Sequence, residues 1–208
     1  MVTSTPEPGS TRWIQTDECE DVAGSVRHAL RTARSVGDDP QGWKWIVLAL
    51  HSALQGACIC HLTTTAVPIG AVTRENAGEW LAYFELSRDD RHSKLPRTRL
   101  MALPELLKAV RREHSAGDRR NAVGITISDA ELAWLTRLHT TVRNQFVHFE
   151  PAGWLIEISG VEGLAVLISR IISDIGSCGW AFRHQPRQWR DAVNDDLERL
   201  TSAFRLGG

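Results

Sequence analysis

The chain has 208 residues, of which 42% are hydrophobic and 24% are charged. This balance is typical of a globular protein and argues against a disordered or fibrous one. Its formal net charge is -1 and its pI is about 6.7, so it lacks the basic excess that marks a large nonspecific nucleic-acid surface. A chain of this length is expected to form one compact domain without disulfide bonds.

The cysteines and the apolar runs indicate which cofactors and which cellular compartment to expect. Cys19, Cys58, Cys60 and Cys178 match neither a CxxC redox motif nor a zinc-ribbon spacing, so we predict free thiols, no metal and no cofactor. Cys58 and His61 lie three apart on a helix, but buried packing is the favoured interpretation. The N-terminus is polar, without a signal peptide, and no uninterrupted apolar run reaches the ~18 residues of a membrane span. These features predict a cytoplasmic protein with no membrane partner.

The first part of the chain predicts an arm followed by two helices. Residues 1–16 contain prolines and a glycine and read as a flexible N-terminal arm. A first helix is expected over about 18–36. Pro40 opens a second helix that runs to about Leu62. It is apolar on most sides, which predicts a central buried helix.

Further helices follow, and together they predict an all-α helical bundle over 17–208. We expect them over 74–88, 104–114, 161–177 and 187–205, besides one that opens at Ser128. Residues 89–103 are charged and punctuated by prolines, which indicates a loop of functional length or partial disorder. The alternation from Trp154 to Ser159 is compatible with a short β excursion after Gly153.

The helix that opens at Ser128 carries the most informative motif. Glu131 lies three residues after Ser128, the spacing of a capping box. Near its end the helix carries the hexapeptide RNQFVH, residues 143–148, and Pro151 follows almost at once. With ~100° per residue, the apolar residues of this helix form one stripe. The stripe comprises Leu135, Leu138, Val142, Phe146 and Phe149.

Three side chains of the hexapeptide lie away from that stripe and could act on a phosphodiester. Asn144 and His148 are four apart and share the opposite face, with Arg143 to one side. Cleavage of RNA by its own 2′-hydroxyl needs proton transfer, charge stabilisation and a held phosphate. His148 can exchange the proton, Arg143 can bind and stabilise the phosphate, and Asn144 can orient its neighbours. The alternative is that Arg and His are simply favoured by the dipole at a helix C-terminus.

Four other residues are candidates for supporting roles. His51 and Gln55 share a face of the second helix and need polar partners, so we predict a polar seam with the motif, with packing favoured over substrate contact. Glu150 could pair with His148 or Arg143, although surface exposure is favoured. Trp134 could stack a base or pack against a dimer mate, and the dimer is favoured.

The hexapeptide resembles the motif of the HEPN superfamily (higher eukaryote and prokaryote nucleotide-binding domains). That motif is an Arg, four to six residues and a His, with a polar residue, often Asn, directly after the Arg. Arg143, Asn144 and His148 match it with four intervening residues, late in a helical bundle. The resemblance covers about six residues tightly and residues 18–180 loosely, by helix count and order; the 89–125 region and the C-terminal helix are not covered.

The resemblance implies a homodimer that joins two motif copies into a metal-independent endoribonuclease site acting on RNA. Many members are toxins of toxin–antitoxin or phage-defence systems, which implies an antitoxin protein as a further partner. Other members lack nuclease activity and serve as binding or assembly modules. Two hypotheses therefore stand: a HEPN-like endoribonuclease, and a non-catalytic HEPN-like module that binds a nucleotide or a protein. The intact Arg-Asn-His set favours the first, and the net charge of -1 favours the second.

Overall fold

The computed structural model describes residues 13–65, 67–88, 90, 92–147 and 157–205. Within these ranges the chain is helical and forms no sheet, which confirms the predicted all-α bundle. The helices are α1 (Glu18–Ala33), α2 (Gly42–Leu62), α3 (Arg74–Leu86), α4 (Leu103–Val110), α5 (Asp129–Arg137), α6 (Asn144–Val147), α7 (Val161–Ser177) and α8 (Arg187–Arg205), and a π-helical segment, Leu138–Arg143, joins α5 to α6.

Two sequence predictions fall largely outside these ranges. The proposed arm over 1–16 is described only from residue 13 onward, where Trp13 and Ile14 are almost fully exposed. Of the alternating stretch from Trp154 to Ser159, only residues 157–159 are described, and they do not form a strand.

Helices α1 and α2 form a tightly packed antiparallel pair. Residues early in α1 meet residues late in α2: Ser52 donates a hydrogen bond to the Asp21 carboxylate at 2.8 Å. Gly56 lies so close to α1 that a Cβ atom there would be 2.8 Å from Cγ2 of Val22. A glycine is therefore what allows the two backbones to approach at this point.

Helix α2 is the centre of the bundle. It packs against α1, α4, α7 and the π segment. Its apolar composition reflects this burial, and an 18-residue window with mean hydropathy 1.5 is 78% buried inside the bundle. By length and composition alone α2 could cross a membrane, although polar residues interrupt the run, and a core helix meets the same criteria. The prediction of a central buried helix is confirmed.

Helices α7 and α8 close the other side of the core. The buried residues of α7 include Ile168, Ile171 and Ile175, whereas α8 is amphipathic and buries only one stripe (Val193, Leu197, Leu200 and Phe204). Helix α8 contacts both α7 and α1. The Trp189 indole donates a hydrogen bond to the Glu20 carboxylate at 2.9 Å, which ties α8 to α1.

The charged segment between α3 and α4 is held against the start of α3. Asn76 is fully buried, donates a hydrogen bond to the Arg97 carbonyl at 2.9 Å and accepts one from the Arg99 backbone N–H at 2.8 Å. An isolated antiparallel bridge joins Val72 to Leu100. Because a buried amide must be satisfied, Asn76 fixes the second half of the segment predicted as a functional or disordered loop.

Helix boundaries agree with the sequence prediction to within about two or three residues, with one larger difference. Helix α4 was expected over 104–114 but ends at Val110. His114 and Arg119 have positive φ values, 55° and 59°, which a right-handed helix cannot contain. The chain then turns back, and the Ile125 N–H donates to the Val110 carbonyl at 2.9 Å.

Candidate functional site

The motif helix, defined here as Asp129–Val147, begins as predicted. The Ser128 hydroxyl accepts a hydrogen bond from the Glu131 backbone N–H at 3.2 Å, and the Glu131 carboxylate accepts one from the Ser128 backbone N–H at 2.8 Å. This is the capping box that the spacing predicted. Leu135 and Leu138 are buried in the core, and Val142 and Phe146 are partly buried against it. The predicted stripe thus anchors the helix as far as it is described.

The motif helix is not a regular α-helix throughout. Residues Leu138–Arg143 are π-helical. Thr140 returns a hydrogen bond to the Thr136 carbonyl at 3.0 Å, and Thr136 does the same to Leu132 at 2.7 Å. Such back-bonding perturbs helices, and π-helical turns often occur at functional sites. The segment ends at Arg143, the first residue of the hexapeptide, so it changes the direction in which the motif side chains leave the helix.

Arg143 and Asn144 are joined by their side chains. The Arg143 guanidinium donates a hydrogen bond to Asn144 Oδ1 at 2.9 Å. The Asn144 amide donates in turn to the Thr140 backbone carbonyl at 3.2 Å. Both residues are half-buried. Asn144 therefore acts as a bridge that holds one edge of the guanidinium near the π segment and leaves Arg143 with further N–H donors for a ligand.

A pair of histidines lies on the buried side of this arrangement. His51 Nε2 of α2 and His139 Nδ1 of the π segment are 2.8 Å apart and form a hydrogen bond whose donor depends on the tautomers of the two rings. The ring centroids are 5.1 Å apart and the planes differ by 18°. His51 is 6% exposed and His139 is half-buried. His51 therefore makes a polar contact between α2 and the motif helix, with His139 as its partner.

The surroundings keep both histidines neutral near pH 7. Burial lowers the pKa of His51 to about 4, with further contributions from His139 and from the Arg143 charge. Burial and Arg143 also lower the pKa of His139. Arg143 is consequently the permanent charge beside two uncharged imidazoles. A neutral imidazole has one N–H that donates a hydrogen bond and one nitrogen that accepts a hydrogen bond or a proton.

Only some of the remaining candidate residues are described by the structure. His148 and Glu150 lie outside the described residues. Gln55 lies one turn beyond His51 on α2 and is half-buried, and its side chain makes no hydrogen bond within the described part of the chain.

Trp134 packs against its own chain. Its ring is 37% exposed and covers the start of α7, where a Cβ atom on Gly163 would lie 2.9 Å from it. The ring borders a cleft of about 480 Å³ between the motif helix and α7, and Arg137, Thr141 and Gln145 also line this cleft. One face of Trp134 is therefore already covered, and the exposed edge is what remains for a base or a second subunit.

His139 was not among the site residues predicted from the sequence, but it lies beside His51 and near Arg143. The available signal was its position four residues before Arg143, which brings two side chains to one side of a helix. A partner 88 residues away in sequence carried no local signal.

Comparison of the chain with protein-family models, with curated proteins and with solved structures found no match.

Proposed function

We propose that this protein is a HEPN-like, metal-independent endoribonuclease that acts on RNA as a homodimer. In this proposal it serves as a toxin or phage-defence component, with an antitoxin protein as a further partner. The observation that carries the proposal is the bridged Arg143–Asn144 pair, half-buried at the end of the motif helix beside a neutral histidine pair. These are groups suited to binding and cleaving a phosphodiester.

Each residue of the motif has a separate role in the proposed reaction. The ribose 2′-oxygen attacks the adjacent phosphorus, and the bond from phosphorus to the 5′-oxygen breaks. This leaves a 2′,3′-cyclic phosphate and a 5′-hydroxyl. His148 acts as the general acid/base that moves the proton between these oxygens. The Arg143 guanidinium binds phosphate oxygens and stabilises the extra negative charge of the phosphorane. Asn144 holds Arg143 in position, which is a narrower role than the sequence suggested.

The direct test compares purified wild type with His148→Ala on a mixed RNA pool in EDTA. Wild type is expected to cleave the pool to products with 2′,3′-cyclic phosphate ends, and His148→Ala to be inactive. A matched control is His184→Ala, because His184 is an exposed histidine outside the motif helix. Circular dichroism must first show equal folding of all three proteins. Cleavage by His148→Ala at the wild-type rate would refute the assignment.

The second candidate function is a non-catalytic HEPN-like module that binds a nucleotide or a protein. The net charge of -1 favours it, since a nuclease that grips RNA nonspecifically normally carries a basic surface. This candidate predicts that clean wild-type protein turns over no RNA in EDTA or with added Mg²⁺. It also predicts that Arg143→Ala weakens nucleotide binding measured by calorimetry.

A further inference from the structure

Two cysteine thiols lie in contact between α1 and α2, away from the motif helix. Cys19 Sγ in the first turn of α1 and Cys60 Sγ in the last turn of α2 are 3.8 Å apart, although the residues are 41 positions apart in sequence. Both are free thiols. A disulfide bond needs ~2.05 Å between sulfurs, so the two sulfurs are in contact and would have to approach further to form one.

The two thiols differ in their surroundings, and the difference assigns their chemical roles. Cys60 is 7% exposed, whereas Cys19 is half-buried at the edge of the bundle. The contact with the Cys60 thiol lowers the pKa of Cys19, and Gln185 contributes in the same direction; burial and the carboxylates of Asp17 and Glu18 oppose the shift. The same hydrogen bond and burial raise the pKa of Cys60. Cys19 is therefore the better nucleophile of the two.

The other cysteines provide an internal comparison. Burial raises the pKa of Cys58 to about 12. Cys178 is exposed, but partial burial of its thiol and the nearby Asp174 carboxylate raise its pKa. Cys178 is accessible to solvent, but its surroundings do not lower its pKa as they lower that of Cys19. Exposure alone therefore does not decide which thiol reacts.

We propose that Cys19 and Cys60 form a peroxide-reactive dithiol site, with Cys19 as the attacking thiol and Cys60 as the resolving thiol. The Cys19 thiolate attacks one oxygen of a hydroperoxide, the O–O bond breaks, and an alcohol or water leaves after taking up a proton. Cys19 is now a sulfenic acid. The Cys60 sulfur attacks the Cys19 sulfur, water leaves, and a disulfide joins α1 to α2. The dithiol loses two electrons and the peroxide gains them.

The test treats the reduced, desalted full-length protein with one equivalent of hydrogen peroxide at pH 7. The number of titratable thiols should fall from the four in the sequence to two, and the intact mass by two hydrogens. Peptide mapping should find a Cys19–Cys60 link that dithiothreitol reverses. The melting temperature should rise on oxidation, because the link closes a long loop.

Variants separate the roles of the two thiols. Cys60→Ser should leave Cys19 as a sulfenic acid that dimedone traps, and Cys19→Ser should leave Cys60 reduced. Cys178→Ser should form the link at the wild-type rate. If either of the first two variants is misfolded, wild-type mapping still decides the question. Oxidation of Cys178 at a rate equal to or above that of Cys19, or a link between two chains through Cys178, would overturn the proposal.

Discussion

At the scale of single residues, Asn144 has the most specific role in the motif. Its carbonyl accepts from the Arg143 guanidinium and its amide donates to Thr140. A substitution that removes both contacts leaves the guanidinium free to adopt other rotamers. Fixing this long side chain again at the phosphate then costs conformational entropy. Asn144 is thus a positioning residue for Arg143 within the proposed site.

We expect Asn144→Ala to lower kcat for RNA cleavage about tenfold to a hundredfold, since a small misplacement of a charge-stabilising group costs that much. Asn194 is exposed on α8, away from the motif, and provides a matched Asn194→Ala control that should keep the wild-type kcat. Initial-rate kinetics over a range of substrate concentrations separate kcat from KM. A change in KM alone would mean that Asn144 contacts substrate directly instead of positioning Arg143.

The buried histidines predict a pH dependence of stability. Burial lowers the pKa values of His51 and His61 to about 4 in the folded protein, against ~6.5 in the unfolded chain. The unfolded state therefore binds more protons between these values. The stability these groups contribute is complete above pH ~6.5 and is lost as pH falls toward 4. Between pH 6.5 and 5 each should lower the unfolding free energy by about 1.5 kcal/mol.

Urea denaturation at a series of pH values from 7 to 5 measures this loss. His51→Gln should have a shallower pH dependence than wild type, because one of the two linked protons is gone. The matched variant His28→Gln, on the exposed face of α1, should keep the wild-type slope. A flat unfolding free energy over this interval would show that these histidines are not neutral in the folded state.

At the scale of elements, the sequence predicted where helices lie but not how the motif helix is wound. Apolar periodicity and the Ser128 capping box gave helix starts that the structure confirms. The helical-wheel argument for Asn144 assumed ~100° per residue. The π segment changes that angle between Leu138 and Arg143, and no rule of composition identifies such a segment. Pairing of His51 with His139 depends on the same tertiary packing.

The packing of α1 on α2 gives a paired prediction on two glycines. Gly56→Ala should lower the unfolding free energy by about 1–3 kcal/mol, because the added Cβ would be 2.8 Å from Val22 Cγ2, and a buried β-branched side chain has little freedom to yield. Gly24→Ala in α1 meets nothing within 4 Å and should raise the unfolding free energy by about 0.5–1 kcal/mol.

Chemical denaturation of both variants measures the difference. The two substitutions are chemically identical and both lie within helices, so helix propensity contributes alike to each. Equal effects on the unfolding free energy would show that the close approach of α1 and α2 at Gly56 does not limit side-chain size.

At the scale of the whole molecule, the proposed nuclease has to act with almost no net charge. A net charge of -1 provides little long-range attraction for RNA. Two copies of the motif brought together would double the local density of Arg143 guanidinium groups without changing the overall charge. A dimer thus offers a way to concentrate positive charge at one place on a nearly neutral protein.

If RNA cleavage requires a dimer with two intact motifs, inactive subunits should lower the cleavage rate by forming inactive mixed dimers. When wild type is incubated with an equal amount of His148→Ala until subunits exchange, random pairing leaves about half of the original wild-type homodimers. RNA cleavage should fall to about half, and further with excess variant. Adding His184→Ala instead should raise the rate, since that subunit keeps the motif. A cleavage rate that His148→Ala leaves unchanged would mean that each chain carries a complete site of its own.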